Sequence, residues 1–209
     1  RAWNRWQGDR FLRWLEAYDV TAEMLLQRFA NILPQHLGVK QLFFLRFYRG
    51  QESQKYIITK EMHLSQLHDP HANQLDEHYC RRWISIHTIK QLRARQQLHD
   101  SKEPLVAAQI SRYWNTPNAY FCISVAKPTR SDLKNTTSVT IGLLVNDHLR
   151  SMFPFLADPE ILTKDVHTTC ERCPILDCGA RAVPPVFLQR QYRRDDLRRA
   201  LAEMKKRKF

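Results

Sequence analysis

The chain has 209 residues, 43% of them hydrophobic, 11% aromatic and 26% charged, with a net charge of +12. That length supports one large domain with its own core, and that composition excludes an intrinsically disordered chain or a coiled-coil rod. The positive excess bears on partners and solubility rather than on fold, and it points first to an anionic partner.

In chain order, Phe11, Leu12, Leu15 and Tyr18, then Met24, Leu25, Phe29 and Ile32, recur at helical spacing, and Thr21 with Glu23 reads as a second helix start. One or two helices ending near Pro34 are expected. Residues 42–48 (LFFLRFY) and 55–59 (KYIIT), separated by the turn Arg49-Gly50-Gln51-Glu52, predict a hairpin. After a break at Asp69-Pro70-His71, the spacing of Leu75, Tyr79, Trp83, Ile86 and Ile89 predicts a long helix running to about Gln97. Three further strands are predicted over residues 105–113, 120–126 and 139–145, and a short helix over 148–153. The turn Asn115-Thr116-Pro117-Asn118 and the polar run 128–137 separate the three strands. Five mostly hairpin-connected strands interrupted by helices predict an α+β fold, an antiparallel sheet of the GAF or PAS kind flanked by helices.

The charge is unevenly placed. Residues 190–209 carry nine basic and three acidic side chains, so half of the net charge lies in the last twenty residues. Leu197, Leu201 and Met204 give that stretch helical spacing, which predicts a basic C-terminal helix or solvated tail. No apolar run approaches the ~20 residues that span a bilayer, and residues 1–10 lack the apolar core of a secretory signal. The start at Arg1 rather than Met leads us to expect a piece of something longer.

Five cysteines are present: Cys80, Cys122, Cys170, Cys173 and Cys178. An odd number, three of them within nine residues, fits a disulfide framework poorly and a metal or redox site in the cytoplasm better. A C-x2-C turn presents both sulfurs to one side and a four-residue loop returns the third, so Cys170, Cys173 and Cys178 are candidate ligands for an iron–sulfur cluster or zinc. A cluster of reduced thiols and a local disulfide remain as alternatives. No fourth ligand is evident, although His167 lies just outside. Arg181 is expected either to stabilise negative charge on the thiolates as their neighbour or to close the fold of this segment. Two other sets of residues suit an anionic effector, because guanidinium groups fork onto phosphate. Arg112 and Tyr113 end a strand just before a turn, and Arg81 and Arg82 point away from the core side of the predicted long helix.

The run from Val139 to Pro185 resembles the C-terminal end of bacterial XRE-family transcriptional regulators, which carry a lambda-repressor-like helix-turn-helix, of the short-chain fatty acid or propionate type. The residues that carry the resemblance are Ile141-Gly142-Leu143, then Asp147 to Phe153, then Cys170, Cys173, Cys178, Arg181, Ala182, Pro184 and Pro185. Weaker features are Cys80-Arg81-Arg82-Trp83, Ser111-Arg112-Tyr113 and the stretch 119–126. The resemblance implies a ligand-sensing domain that binds a small effector such as an acyl-CoA. It would dimerise and control an N-terminal DNA-binding domain absent from this chain, because residues 1–33 are too few for a helix-turn-helix domain. The expected organisation is a helical linker or dimerisation segment (1–36), a sensory domain (37–166), a three-Cys knuckle (167–186) and a basic helix or tail (187–209).

No Walker A, dinucleotide-binding or nucleophile-elbow motif occurs, and five glycines leave little for a phosphate-cradling loop, so no enzyme is expected. The alternative is a zinc-knuckle module that binds nucleic acid or protein through its basic tail. A mechanism based on a pocket between the sheet and the residue 79–92 helix goes with the sensor reading.

Overall fold

The computed structural model describes residues 4–53, 55–64, 77–99, 102–129 and 134–206. The break at Asp69-Pro70-His71, Leu75, Arg207 and Lys208 lie outside the described residues.

The N-terminal apolar spacing forms two helices, α1 (Gly8–Ala17) and α2 (Ala22–Leu37). Asp19, at a φ of 47°, turns the chain between them, and the Thr21 hydroxyl accepts the Met24 N–H at 3.2 Å to cap α2. The second helix runs past Pro34, which was expected to end it, and stops where Gly38 takes a left-handed φ of 65°.

Six strands form one sheet in the order β2-β1-β5-β4-β3-β6: β1 (Leu42–Arg49), β2 (Ile57–His63), β3 (Leu105–Tyr113), β4 (Ala119–Pro128), β5 (Thr136–Leu144) and β6 (Thr163–Val166). The fold is α+β, with an open mixed sheet flanked by helices. All pairings are antiparallel except β3 with β6, which run parallel from Ile110↔Thr163 to Tyr113↔Val166. The sixth strand was not expected; its four residues, TKDV, are too short and too polar to show alternation.

The long helix predicted from Leu75 begins only at Ile84, as α3 (Ile84–His99). Tyr79 instead forms an isolated bridge with Thr169, and the Cys80 N–H bonds the Thr168 carbonyl at 3.1 Å. This segment satisfies its backbone as a strand would, so Arg81 and Arg82 are not helix residues.

The alternation along the central strands separates two kinds of surface. On one face stand Phe121, Ile123 and Val125 of β4 beside Val139, Ile141 and Leu143 of β5, packed with Phe11 of α1 and Leu26 and Ala30 of α2. Their neighbours Cys122, Ser124, Ser138, Thr140 and Gly142 point to the other face, where α3 lies. Small side chains let α3 approach closely, and its Ile86, Thr88, Ile89 and Leu92 are fully buried.

The described residues divide into two units. Residues 4–64 and 82–166, with the gaps stated above, make the first, and residues 77–81 and 167–206 the second. Beyond β6 the first unit contributes nothing, and the second holds the cysteine segment and α5 (Val186–Lys206). Between β5 and β6 run α4 (Asp147–Met152) and one 3-10 turn (Pro154–Ala157). Among the described residues, no helix is long and apolar enough to cross a membrane.

Candidate ligand pocket and the cysteine loop

The apolar face of the sheet carries a cavity of about 610 Å³, within the usual range for small-molecule sites. Its floor is Phe121, Ile123, Ile141 and Leu143. Phe29, Leu33 and Leu37 of α2 form one wall, Phe11 and Trp14 of α1 another, and the stretch from Ser151 to Phe155 a third. The segment before α1 closes it with Arg5, Trp6 and Gln7.

Trp6 is fixed there from both ends. Its ring meets Phe121 edge-on, with centroids 5.9 Å apart and planes at 78°, and lies 6.1 Å from Phe155. Its backbone N–H donates to Asp158 Oδ2 at 2.8 Å, while the Glu160 N–H donates to Oδ1 at 3.0 Å. These two bonds, that to Glu160 foremost, hold the Asp158 carboxyl below the usual carboxylate range.

Compared with protein-family models, with curated proteins and with solved structures, the chain finds no match.

The pocket expected between the sheet and the helix of residues 79–92 is not among the cavities lined by the described residues. That space is filled by α3 and fastened by buried hydroxyls: Ser85 Oγ to Thr140 Oγ1 at 2.8 Å, Thr140 Oγ1 to Ser124 Oγ at 2.9 Å, and Thr88 Oγ1 to Ser124 Oγ at 3.0 Å. Ser138 Oγ adds a bond to the Ser85 carbonyl at 2.9 Å. Each hydroxyl has a partner, so the seam is both polar and closed.

None of the four residues named as effector contacts lines the cavity. Arg112 is exposed on β3 and its Nε donates to Asp165 Oδ1 at 2.5 Å; that hydrogen bond raises the guanidinium pKa and lowers that of the carboxyl. Arg82 Nη1 donates to the Asp165 carbonyl at 3.3 Å. Tyr113 is buried, with its ring edge-on to Tyr120 at 5.8 Å. Arg81 is buried in the second unit.

In that second unit Cys170, Cys173 and Cys178 are free thiols, the first two buried. The iron–sulfur or zinc centre expected from their spacing is corrected: among the described residues no group of three or more His, Cys, Asp or Glu side chains is arranged to hold a metal ion. A guanidinium organises the loop instead. Arg181 Nη1 donates to the Cys170 carbonyl at 2.8 Å, and Nη2 to those of Cys173 at 3.1 Å and Ile175 at 2.5 Å. Arg181 therefore closes the turn through carbonyl oxygens. Burial pushes the Cys173 thiol up, favouring the neutral form over the thiolate that a metal needs. Cys170 Sγ accepts the Ala182 N–H at 3.4 Å.

His167 is half-buried beside this loop. Its backbone N–H reaches Cys80 Sγ at 3.5 Å and its Nδ1 lies 3.2 Å from the Thr168 hydroxyl. Burial first, then Arg172 and Arg181, lower its pKa and keep it neutral. Two buried carboxylates were not anticipated. Glu77 takes a fork from Arg172, with Nε at 2.9 Å from both oxygens, and the Thr169 hydroxyl at 2.8 Å. Glu171 takes the His78 backbone N–H at 2.9 Å and lies 2.7 Å from its Nδ1. The Arg172 guanidinium sits 5.0 Å above the Phe187 ring at the start of α5.

Proposed function

We propose that the first unit is a GAF- or PAS-like effector-sensing domain of a cytoplasmic transcription regulator, and that the cavity beneath α1 and α2 receives the effector. The observation that carries this is the cavity itself: about 610 Å³ of apolar space on a sheet face whose opposite side carries the buried helix α3. The resemblance of the stretch from Val139 to Pro185 supports the regulatory setting, with a small effector such as an acyl-CoA, a homodimer and DNA bound by a domain outside this chain. Five free thiols suit a reducing compartment. The domain is a binding module and not an enzyme.

Binding works here as a population shift. A ligand that contacts Trp6, Phe11 and Trp14 favours the arrangement of the N-terminal segment in which those contacts are made, and whatever precedes that segment feels the change. Differential scanning fluorimetry against a panel of acyl-CoAs, acids and neutral apolar compounds tests this reading. A rise in melting temperature that is abolished by Ile141→Trp, which fills the cavity, supports it. A panel with no such ligand removes it.

A second reading rests on α5, whose side chains from Gln189 to Met204 are exposed except for half-buried Asp195. A basic exposed helix suits a nucleic-acid or acidic protein partner. Binding that falls steeply with salt and vanishes on removal of residues 190–209 favours this reading.

A further inference from the structure

Trp6, Phe11, Trp14, Phe29, Phe121 and Phe155, all in the lining of the cavity, form one connected network of rings. Between centroids, Phe29 of α2 lies 6.2 Å from Trp14 and 5.7 Å from Phe11, and Phe11 lies 6.4 Å from Trp6. Trp6 meets Phe121 of β4, which in turn lies 5.6 Å from Phe155 of the 3-10 turn. The planes in these pairs cross at 38° to 80°, so none of the pairs is stacked face to face. That is the geometry in which the positive edge of one ring meets the negative face of another. These rings stand around an open space instead of filling it, above a floor that Ile123, Ile141 and Leu143 make aliphatic.

We infer that the cavity binds an effector built on a rigid aromatic ring system, which lies against the aliphatic floor and joins the surrounding network as one more ring. This rests on the reading of the cavity as the effector site and narrows its ligand class. A guest ring gains edge-to-face attraction in addition to burial, whereas a saturated body of the same size gains burial alone. A fused ring also has no internal rotations to lose on binding, as an alkyl chain has. Size agrees: an apolar cavity of ~150 Å³ is enough for benzene, so about 610 Å³ admits two fused rings and a short substituent.

The test is isothermal titration calorimetry with two matched pairs of neutral probes, phenylpropanol with cyclohexylpropanol and naphthol with decahydronaphthol. Phenylpropanoyl- and cyclohexylpropanoyl-coenzyme A form a third pair. Wild type is compared with Phe29→Leu, or with Trp14→Leu should the first not fold by circular dichroism. The quantity read is the affinity of each aromatic probe over that of its saturated partner; comparing this ratio between proteins cancels the probes' different ease of leaving water. It is expected to fall about two- to twelvefold in the leucine variant, the contribution of one ring pair. A fall with the alcohols assigns the ring to a free molecule, and a fall with the thioesters alone assigns it to an aryl thioester. Ile141→Trp, with Leu33→Trp as a second filled-cavity variant, is expected to abolish binding of every probe. A ratio that is the same in wild type and the leucine variant overturns the aromatic ligand while leaving the effector site standing. Failure of every probe to bind wild type, or binding that survives in a folded filled-cavity variant, overturns both.

Discussion

The backbone N–H of Trp6 donates to the carboxylate of Asp158 at 2.8 Å across 152 residues of chain, and so pins the cover of the cavity to the turn that closes its far wall. The same carboxylate accepts the Glu160 N–H, so one side chain ties the segment before α1 to the turn that follows the 3-10 helix. Asp158→Ala removes both acceptors. It is expected to shift tryptophan emission to the red and to speed tryptic cleavage at Arg5 and Arg10, with the sheet intact by circular dichroism. Because the Asp158 pKa is depressed, the tether is at full strength above the ordinary carboxylate value of about 3.9 and is lost as pH falls through the lower folded value. The same red shift is therefore expected in wild type on strong acidification.

Phe43 faces Gly142 across the β1–β5 ladder, and a Cβ at Gly142 overlaps the Phe43 ring. Gly142→Ala is expected to cost about 1–3 kcal/mol in urea unfolding, the usual range for forcing atoms into a packed core. Phe43→Leu in the same chain should recover part of the loss, a coupling that a purely conformational glycine effect does not give.

Thr140 joins Ser85 and Ser124 in the seam beneath α3. Thr140→Val keeps the volume, takes from the Ser85 hydroxyl its partner in a dry interface and leaves Ser124 bonded to Thr88 alone, at an expected cost of about 1–3 kcal/mol. Ligand affinity in the cavity should not change, because the seam lies on the other face; parallel titration and unfolding separate the two effects.

Arg181→Gln takes the guanidinium from three carbonyls of the cysteine loop. Loss of charge-assisted bonds is expected to destabilise the loop by about 1.5–3 kcal/mol. The rate at which Cys170 and Cys173 react with an aromatic disulfide reagent should rise accordingly, with the melting of the first unit unmoved.

His87 on α3 has its pKa lowered by burial, then by Lys164 and Lys90. The fold therefore prefers the neutral ring. Its contribution is complete above about pH 6.5 and declines as pH drops below that value. Urea midpoints measured from pH 7.5 to 5 should fall for wild type and fall less for His87→Phe.

The helices and five of the strands were legible because their apolar periods are long enough to show. Tyr79 and Trp83 misled because their spacing fits a helix, whereas the backbone around Cys80 pairs with the stretch around Thr168 and Thr169, a partnership invisible without tertiary structure. The cavity face was written in the alternation of Val139, Ile141 and Leu143 against Ser138, Thr140 and Gly142, a contrast in size that tells which side a helix can approach. The cavity itself was not, because Trp6 and Asp158 stand 152 residues apart in the chain. Cysteine spacing points to a metal that the loop does not hold; a fold-closing role for Arg181 is legible in the sequence, but its partners, three carbonyl oxygens, are fixed only by the folded loop.

The hydroxyl seam has a consequence for how this unit can change over evolutionary time. With α3 locked to one side of the sheet by its own self-contained bonds, residues such as Ile141 and Phe121 on the other side are free to drift in size without disturbing that lock. The sheet acts as a party wall: one tenant is permanent, and the room across it can be refitted for different guests.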